Sequence, residues 1–83
     1  MPLPVIRRGY PTVRQVREQS GMSYFDVAAA AGVKLRVVYW MEHGIAVDPV
    51  DAVKILTVLS LRAGKVYTLM NVQGIRVKEV RKG

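Results

Sequence analysis

Gly32 constrains this chain more than any other residue. It interrupts the stretch MSYFDVAAAAGVKLRVVYWMEHG, Met22 to Gly44, at the point where one apolar-faced helix would otherwise run into the next. Glycine takes the left-handed backbone of a tight helix stop without steric cost. Upstream, Ser23 offers its hydroxyl to the orphan amides of a helix running from about Tyr24 through Ala31. Downstream, Val33 fills the inside of the turn, and a second helix starts near Leu35 and ends at Gly44. Val27, Ala28 and Ala31 share one face of the first helix, and Val38 and Met41 share one face of the second. Those faces can close on each other, and the small side chains of the Ala28 to Ala31 run let two steeply crossed helices approach. Lys34, Leu35, Arg36, Tyr39, Trp40 and His43 are left pointing outward as a basic and aromatic face.

The remaining segments read as a frame for this pair. Thr12 is a cap for a helix over about 12–20, with Val13, Val16 and Gln19 along its inner side. Asp48-Pro49-Val50-Asp51 spells another helix start: Asp48 caps, Pro49 takes the first helical position and Asp51 adds negative charge to the first turn. That helix runs over about 49–61, with Ala52, Ile55, Leu56 and Leu59 inward. After Arg62-Ala63-Gly64 the pattern changes. Lys65 to Val72 fits either a short turn of helix capped by Thr68 or the first strand of a hairpin turning at Gln73-Gly74. Ile75, Val77 and Val80 then alternate imperfectly with Arg76, Lys78 and Arg81, as in an edge strand or extended tail. At the other end, Met1 to Pro11 carries three prolines and the pair Arg7-Arg8 and reads as an extended basic arm. The expectation is an all-α domain over 12–64, flanked by the arm at 1–11 and a basic tail element at 65–83.

Eighty-three residues suffice for one domain with a modest core, since domains of this size bury roughly 60% of their unfolded surface. With no cysteine there is no disulfide framework, thiolate metal site or cysteine nucleophile. No apolar run approaches the roughly 20 residues that span a bilayer, and no signal-peptide pattern opens the chain, so a soluble, intracellular protein is expected. Thirteen Lys and Arg against six Asp and Glu leave +7, which in so small a chain favours a polyanionic partner. The plain alternative is a solvated surface with surplus cations. The arm can likewise be read as reaching along a phosphate backbone or into a minor groove, or as an end without a role.

Within the outward face, Lys34 and Arg36 stand at the start of the second helix. There arginine can make a bidentate contact with guanine, and lysine can meet a phosphate or a base. The alternative, a solvated basic helix start, is mildly unfavourable at the positive end of the helix dipole. Tyr39 suits a groove contact one turn on, or packing on Leu35. Trp40 suits packing, a phosphate bond through its ring nitrogen, or a partner surface. His43 is the only histidine, so it is better placed for a phosphate contact or a helix-end role than for a metal site. No paired carboxylates, no oriented Ser and His arrangement and no glycine-rich phosphate loop point to an enzyme. No cofactor, metal or small-molecule substrate is expected.

Taken together, Ser23, Val27-Ala28, Gly32-Val33, Val38 and Glu42-His43-Gly44, with Arg17 and Gly21 upstream and Pro49, Ile55, Leu56 and Leu59 downstream, resemble the helix-turn-helix domain of Cro and the lambdoid phage repressors, the xenobiotic-response-element type. The resemblance covers about Thr12 to Leu61. It implies a compact four- to five-helix domain and an ion pair between Arg17 and Glu42, whose two-point geometry suits guanidinium and carboxylate. It further implies a fifth short helix for dimer contacts in the region after Gly64, so a short helix followed by an extended tail is preferred there. With the outward face and the arm read above, the DNA-facing set expected is Ser23, Tyr24, Lys34, Leu35, Arg36, Tyr39, Trp40 and His43, with Arg7 and Arg8 from the arm. Two departures stand out: Tyr24 replaces the usual phosphate-contacting Gln, where a phenol still donates one hydrogen bond. Leu35 cannot read a donor and acceptor pattern, although it can touch a thymine methyl.

The function expected on these grounds is a sequence-specific double-stranded DNA-binding transcription regulator, a repressor by type, homodimeric on a two-fold related operator. Two readings from other classes stand beside it. One is a protein-interaction module using the apolar surface of Leu35, Val37 and Trp40. The other is an accessory protein that binds DNA by charge and bending with little sequence preference.

Overall fold

The computed structural model describes residues 9–78; Arg7, Arg8 and the tail at 79–83 lie outside them. Four helices follow in order: α1 (Val13–Gln19), α2 (Tyr24–Ala31), α3 (Leu35–Glu42) and α4 (Pro49–Ala63). Among the described residues there is no strand, only two isolated bridges, Thr12 with Gln73 and Val47 with Val77. The domain is all-α.

Local chemistry explains three of the four helix starts. The Thr12 and Ser23 hydroxyls accept from the amides of Gln15 and Asp26, whose side chains accept in return from the Thr12 and Ser23 amides. These reciprocal boxes satisfy two orphan donors apiece. Asp48 accepts from Val50 ahead of Pro49. Gly32 and Gly64 end α2 and α4 with φ of +69° at each, and α4 extends two residues past the Leu61 expected from sequence.

The core gathers one face from every helix: Val13 and Val16, Val27 and Ala28, Val38 and Met41, then Ala52, Ile55, Leu56 and Leu59, joined by Val47 and Val72. Ala28 is buried at the contact and Ala31 packs half-buried beside it, while Ala29 and Ala30 face solvent. Gln19, expected inward, is exposed.

The segment after Gly64 corrects a second expectation: residues 65–78 form neither a fifth helix nor a hairpin. Thr68 caps a turn that closes on itself. Its oxygen accepts from the Met70 amide, while the Asn71 side chain accepts from the Thr68 amide and donates to the Val66 carbonyl. Thr68 and Asn71 bond as a helix cap does, yet the chain leaves the turn without propagating a helix. The chain continues instead as a strap. Tyr67, Val72 and Ile75 pack on the core. The Gln73 amide and side chain donate to the Pro11 and Tyr10 carbonyls, at 3.0 and 2.8 Å. Farther on, Val47 donates to Arg76 and accepts from Lys78. The strap thus fastens both the entrance to α1 and the loop before α4.

Candidate nucleic-acid interface

Helix α3 is held from below and at its far end, and left open at its start. Val38 and Met41 are fully buried and seat the helix against the core. At the C-terminal end, the Glu42 side chain is completely buried against Arg17, itself 12% exposed. Arg17 Nε and Nη2 both donate to the Glu42 carboxylate, and Nη1 donates to the Met22 carbonyl at 2.9 Å. The hydrogen bond to Glu42 lifts the guanidinium's pKa above its ordinary value, against the opposing effect of burial. Arg17 is therefore a strut between α1, the turn before α2 and the end of α3.

A run of ring contacts extends this strut across the surface. The Arg17 guanidinium lies 4.3 Å from the centre of the Tyr24 ring, a cation over a π face. Tyr24 meets Tyr39 in a tilted contact with centroids 6.2 Å apart, and Tyr39 stacks on His43 at 4.0 Å. His43 Nδ1 donates to the Tyr39 carbonyl at 2.8 Å, which fixes the ring and leaves Nε2 as the nitrogen offered outward. The first link of this run, Arg17 to Glu42, is the ion pair that the resemblance implies; the continuation through Tyr24 and Tyr39 to His43 is not among the expectations. Arg17, Tyr24 and Tyr39 come from three helices, so spacing within one helix carries no sign of their meeting, whereas Tyr39 and His43 are i, i+4 neighbours at one helix face.

The start of α3 is built differently from the other three. Lys34 occupies the cap position with an extended backbone and no side-chain hydrogen bond, and no acidic residue stands in the first turn. Lys34, Leu35 and Arg36 are all exposed, and Tyr39 is 47% exposed. Among the described residues the ion pairs are Arg14 with Glu18 and Arg17 with Glu42, so no described carboxylate pairs with the two cations at this helix start. Uncapped amides, the positive end of the dipole and two free cations together make a place where an anion is stabilised.

Not every residue of the expected set joins this surface. Trp40, counted among the outward residues, is half-buried against the core together with Val37. Its indole is large enough to reach round the helix to apolar cover. Ser23 serves as the α2 cap, and its hydroxyl already accepts from Asp26. The Ser23 amide and hydroxyl hold the Asp26 carboxyl below its ordinary pKa, and a carboxylate so placed works against a phosphate at Ser23. Tyr24, half-buried, has its ring engaged by Arg17. Lys34, Leu35, Arg36, Tyr39 and His43 remain as one exposed face.

Among the described residues no group of three His, Asp or Glu side chains is arranged to hold a metal ion, and no helix is long and apolar enough to cross a membrane. Compared with protein-family models, with curated proteins and with solved structures, the chain has no match.

Proposed function

We propose that this chain is a sequence-specific double-stranded DNA-binding transcription regulator, acting as a repressor in the cytoplasm of a prokaryotic cell or phage-infected host. In this reading α2 and α3 form a helix-turn-helix and α3 enters the major groove start first. What supports it above all is the contrast within α3: the end at Glu42 is buried and strutted, whereas the end at Lys34 to Arg36 is uncapped, exposed and cationic. Arg36 has the donor fork to read guanine, Lys34 meets a phosphate or base, and Leu35 touches a thymine methyl. Tyr39 and His43, stacked and oriented, extend the contact along the groove wall. A dimer of such units would read two half-sites about one helical turn apart. The proposed activity is binding without catalysis, and no cofactor is invoked.

The interaction-module alternative is weakened by Trp40 and Val37, which spend their apolar surface on the core and leave Leu35 as the exposed apolar residue of that trio. Selection of random duplexes by the purified protein tests the proposal. One enriched motif is the expected result. Salt-sensitive binding with no motif would favour the low-specificity accessory role, and no binding at low salt would reject a DNA function.

A further inference from the structure

Imidazole is the side chain that ordinarily changes charge between about pH 5 and 8, and His43, the only histidine, has its ring held at one nitrogen. Nδ1 lies 2.8 Å from the Tyr39 carbonyl oxygen, which can only accept, so the proton of the neutral ring sits on Nδ1. The other tautomer would set two lone pairs against each other across that distance. The stack on Tyr39, with centroids 4.0 Å apart, fixes the plane of the ring, and the residue stays exposed. Neutral His43 therefore turns a bare, accepting Nε2 outward. A phosphate oxygen also only accepts, and the two repel. A proton added at Nε2 makes the same atom a cationic donor without moving the ring, because the Nδ1 bond and the stack both survive.

The surroundings supply no described anion for that donor. Glu42, next to His43 in sequence, is buried against Arg17, and Glu18 pairs with Arg14. Asp26 and Asp48 serve their own helix starts, and Asp51 stands in the first turn of α4. Behind Tyr39 lies the Tyr24 ring of α2, with the Arg17 guanidinium of α1 against it. The strap comes close at Gly74, whose carbonyl lies beside Gly44, and its exposed charges there are Arg76 and Lys78. An anion brought to Nε2 from outside would favour the charged ring. Position selects which anion. Lys34 and His43 are nine residues apart, roughly 13 Å along a helix axis, more than the ~8.5 Å depth of a major groove. With the start of α3 against base edges, His43 is level with the phosphate backbone.

We infer that His43 is a proton-gated phosphate contact: duplex binding takes up a proton from solvent at Nε2, and the imidazolium so formed donates to a backbone phosphate. The inference rests on the DNA-binding reading, with α3 entering start first, and adds to it a dependence on pH. Its sign follows from the linkage. The bound state holds the extra proton, so affinity is highest where imidazole is protonated and falls as pH rises through the imidazole range. Lysine and arginine side chains ordinarily keep their charge throughout that range and do not produce such a fall.

Two measurements test this. Nitrogen NMR of the free full chain at about pH 8 reads the tautomer directly. A proton on Nδ1 is expected, and a proton on Nε2 overturns the inference. Fluorescence anisotropy with one labelled duplex from the random-duplex selection then compares the parent with His43→Gln at constant ionic strength. Between about pH 5.5 and 8.5 the parent's affinity should fall about fivefold or more, and the variant's less than about twofold. For the parent, the slope of log affinity against log salt should be steeper by about 0.9 at the lower pH, one further phosphate being neutralised. Parent and variant with the same pH profile overturn the inference and leave the DNA-binding reading standing. So does a parent that binds more tightly at high pH, since bare Nε2 then accepts from a base amine. Absence of binding at every pH rejects the DNA-binding reading and this inference with it.

Discussion

Helices α2 and α3 are each eight residues long and begin in opposite ways. At α2 the Ser23 hydroxyl and Asp26 carboxylate satisfy two backbone amides and place a negative charge at the positive end of the helix. At α3 the corresponding place holds Lys34, which bonds to no amide, and Arg36 follows in the first turn. The first arrangement favours the isolated helix by about 1 kcal/mol for its cap; the second forgoes that and adds an unfavourable charge of about 0.3 to 1 kcal/mol. Such a start persists because other contacts hold the helix: Val38 and Met41 beneath it and Arg17 gripping Glu42 at its far end. On the proposed DNA-binding reading, the pair separates stability from recognition. One helix is stabilised at its start, and the other is braced at its far end while its start stays uncapped and exposed.

The largest effect should come from cutting the brace. Glu42→Ala leaves the Arg17 guanidinium enclosed without its carboxylate and should cost about 3 to 5 kcal/mol in denaturant unfolding; a loss below about 1 kcal/mol would mean that α3 is held by its apolar face alone. Overfilling the contact between α2 and α3 comes next. Ala28→Leu should destabilise by about 1 to 3 kcal/mol, and a melting curve equal to the parent's would show that the two helices have room to spare. At the tip the expectation reverses. Arg36→Ala should leave stability within about 0.5 kcal/mol yet weaken duplex binding by about 1 to 3 kcal/mol and relax preference at one base position.

Converting one start into the other sharpens the comparison further. Lys34→Ser gives α3 the cap it lacks and should raise stability by about 0.5 to 1 kcal/mol while reducing affinity for DNA. A variant that gained stability and kept full affinity would contradict the division of labour. The smallest effect concerns pH. The Asp26 carboxyl is held below its ordinary value by the Ser23 amide and hydroxyl. Its folded pKa being depressed, its contribution is present above the ordinary carboxylate range of about 3.9 and disappears as pH falls through the lower folded value. The stability difference between the parent and Asp26→Asn should therefore shrink in acid titrations below about pH 4 and be steady from there to neutrality.

Much of the frame was written in single residues. Thr12, Ser23, Asp48 and Gly32 announce helix ends because capping and left-handed turns depend on local chemistry, and the inward faces of α2, α3 and α4 follow from helical spacing. Arg17 and Glu42, twenty-five positions apart, carry no local sign of their pairing; it was expected only from the likeness of the surrounding motif to a known pattern. The strap was out of reach for another reason. Its course is set by a few distant bonds, Gln73 to Tyr10 and Pro11, and Val47 to Arg76 and Lys78, and the capped turn at Thr68 to Asn71 does not continue as a helix. Trp40 shows the same limit on a smaller scale, since its angular position on α3 points outward and its indole nevertheless finds cover. Of the proposed face, Lys34, Leu35 and Arg36 were legible as a cationic helix start. The i, i+4 spacing of Tyr39 and His43 sets their rings on one helix face, whereas the hold of Arg17 on Tyr24 needed three dimensions.

The most direct test is amide chemical-shift mapping of the isotopically labelled protein during titration with the duplex enriched by selection. The largest changes should fall on the amides of Lys34 to Val37, the uncapped start of α3, with smaller ones at Tyr39 and His43. Changes concentrated instead on Val53 to Leu61 and Val66 to Leu69, with the start of α3 undisturbed, would contradict the proposed interface.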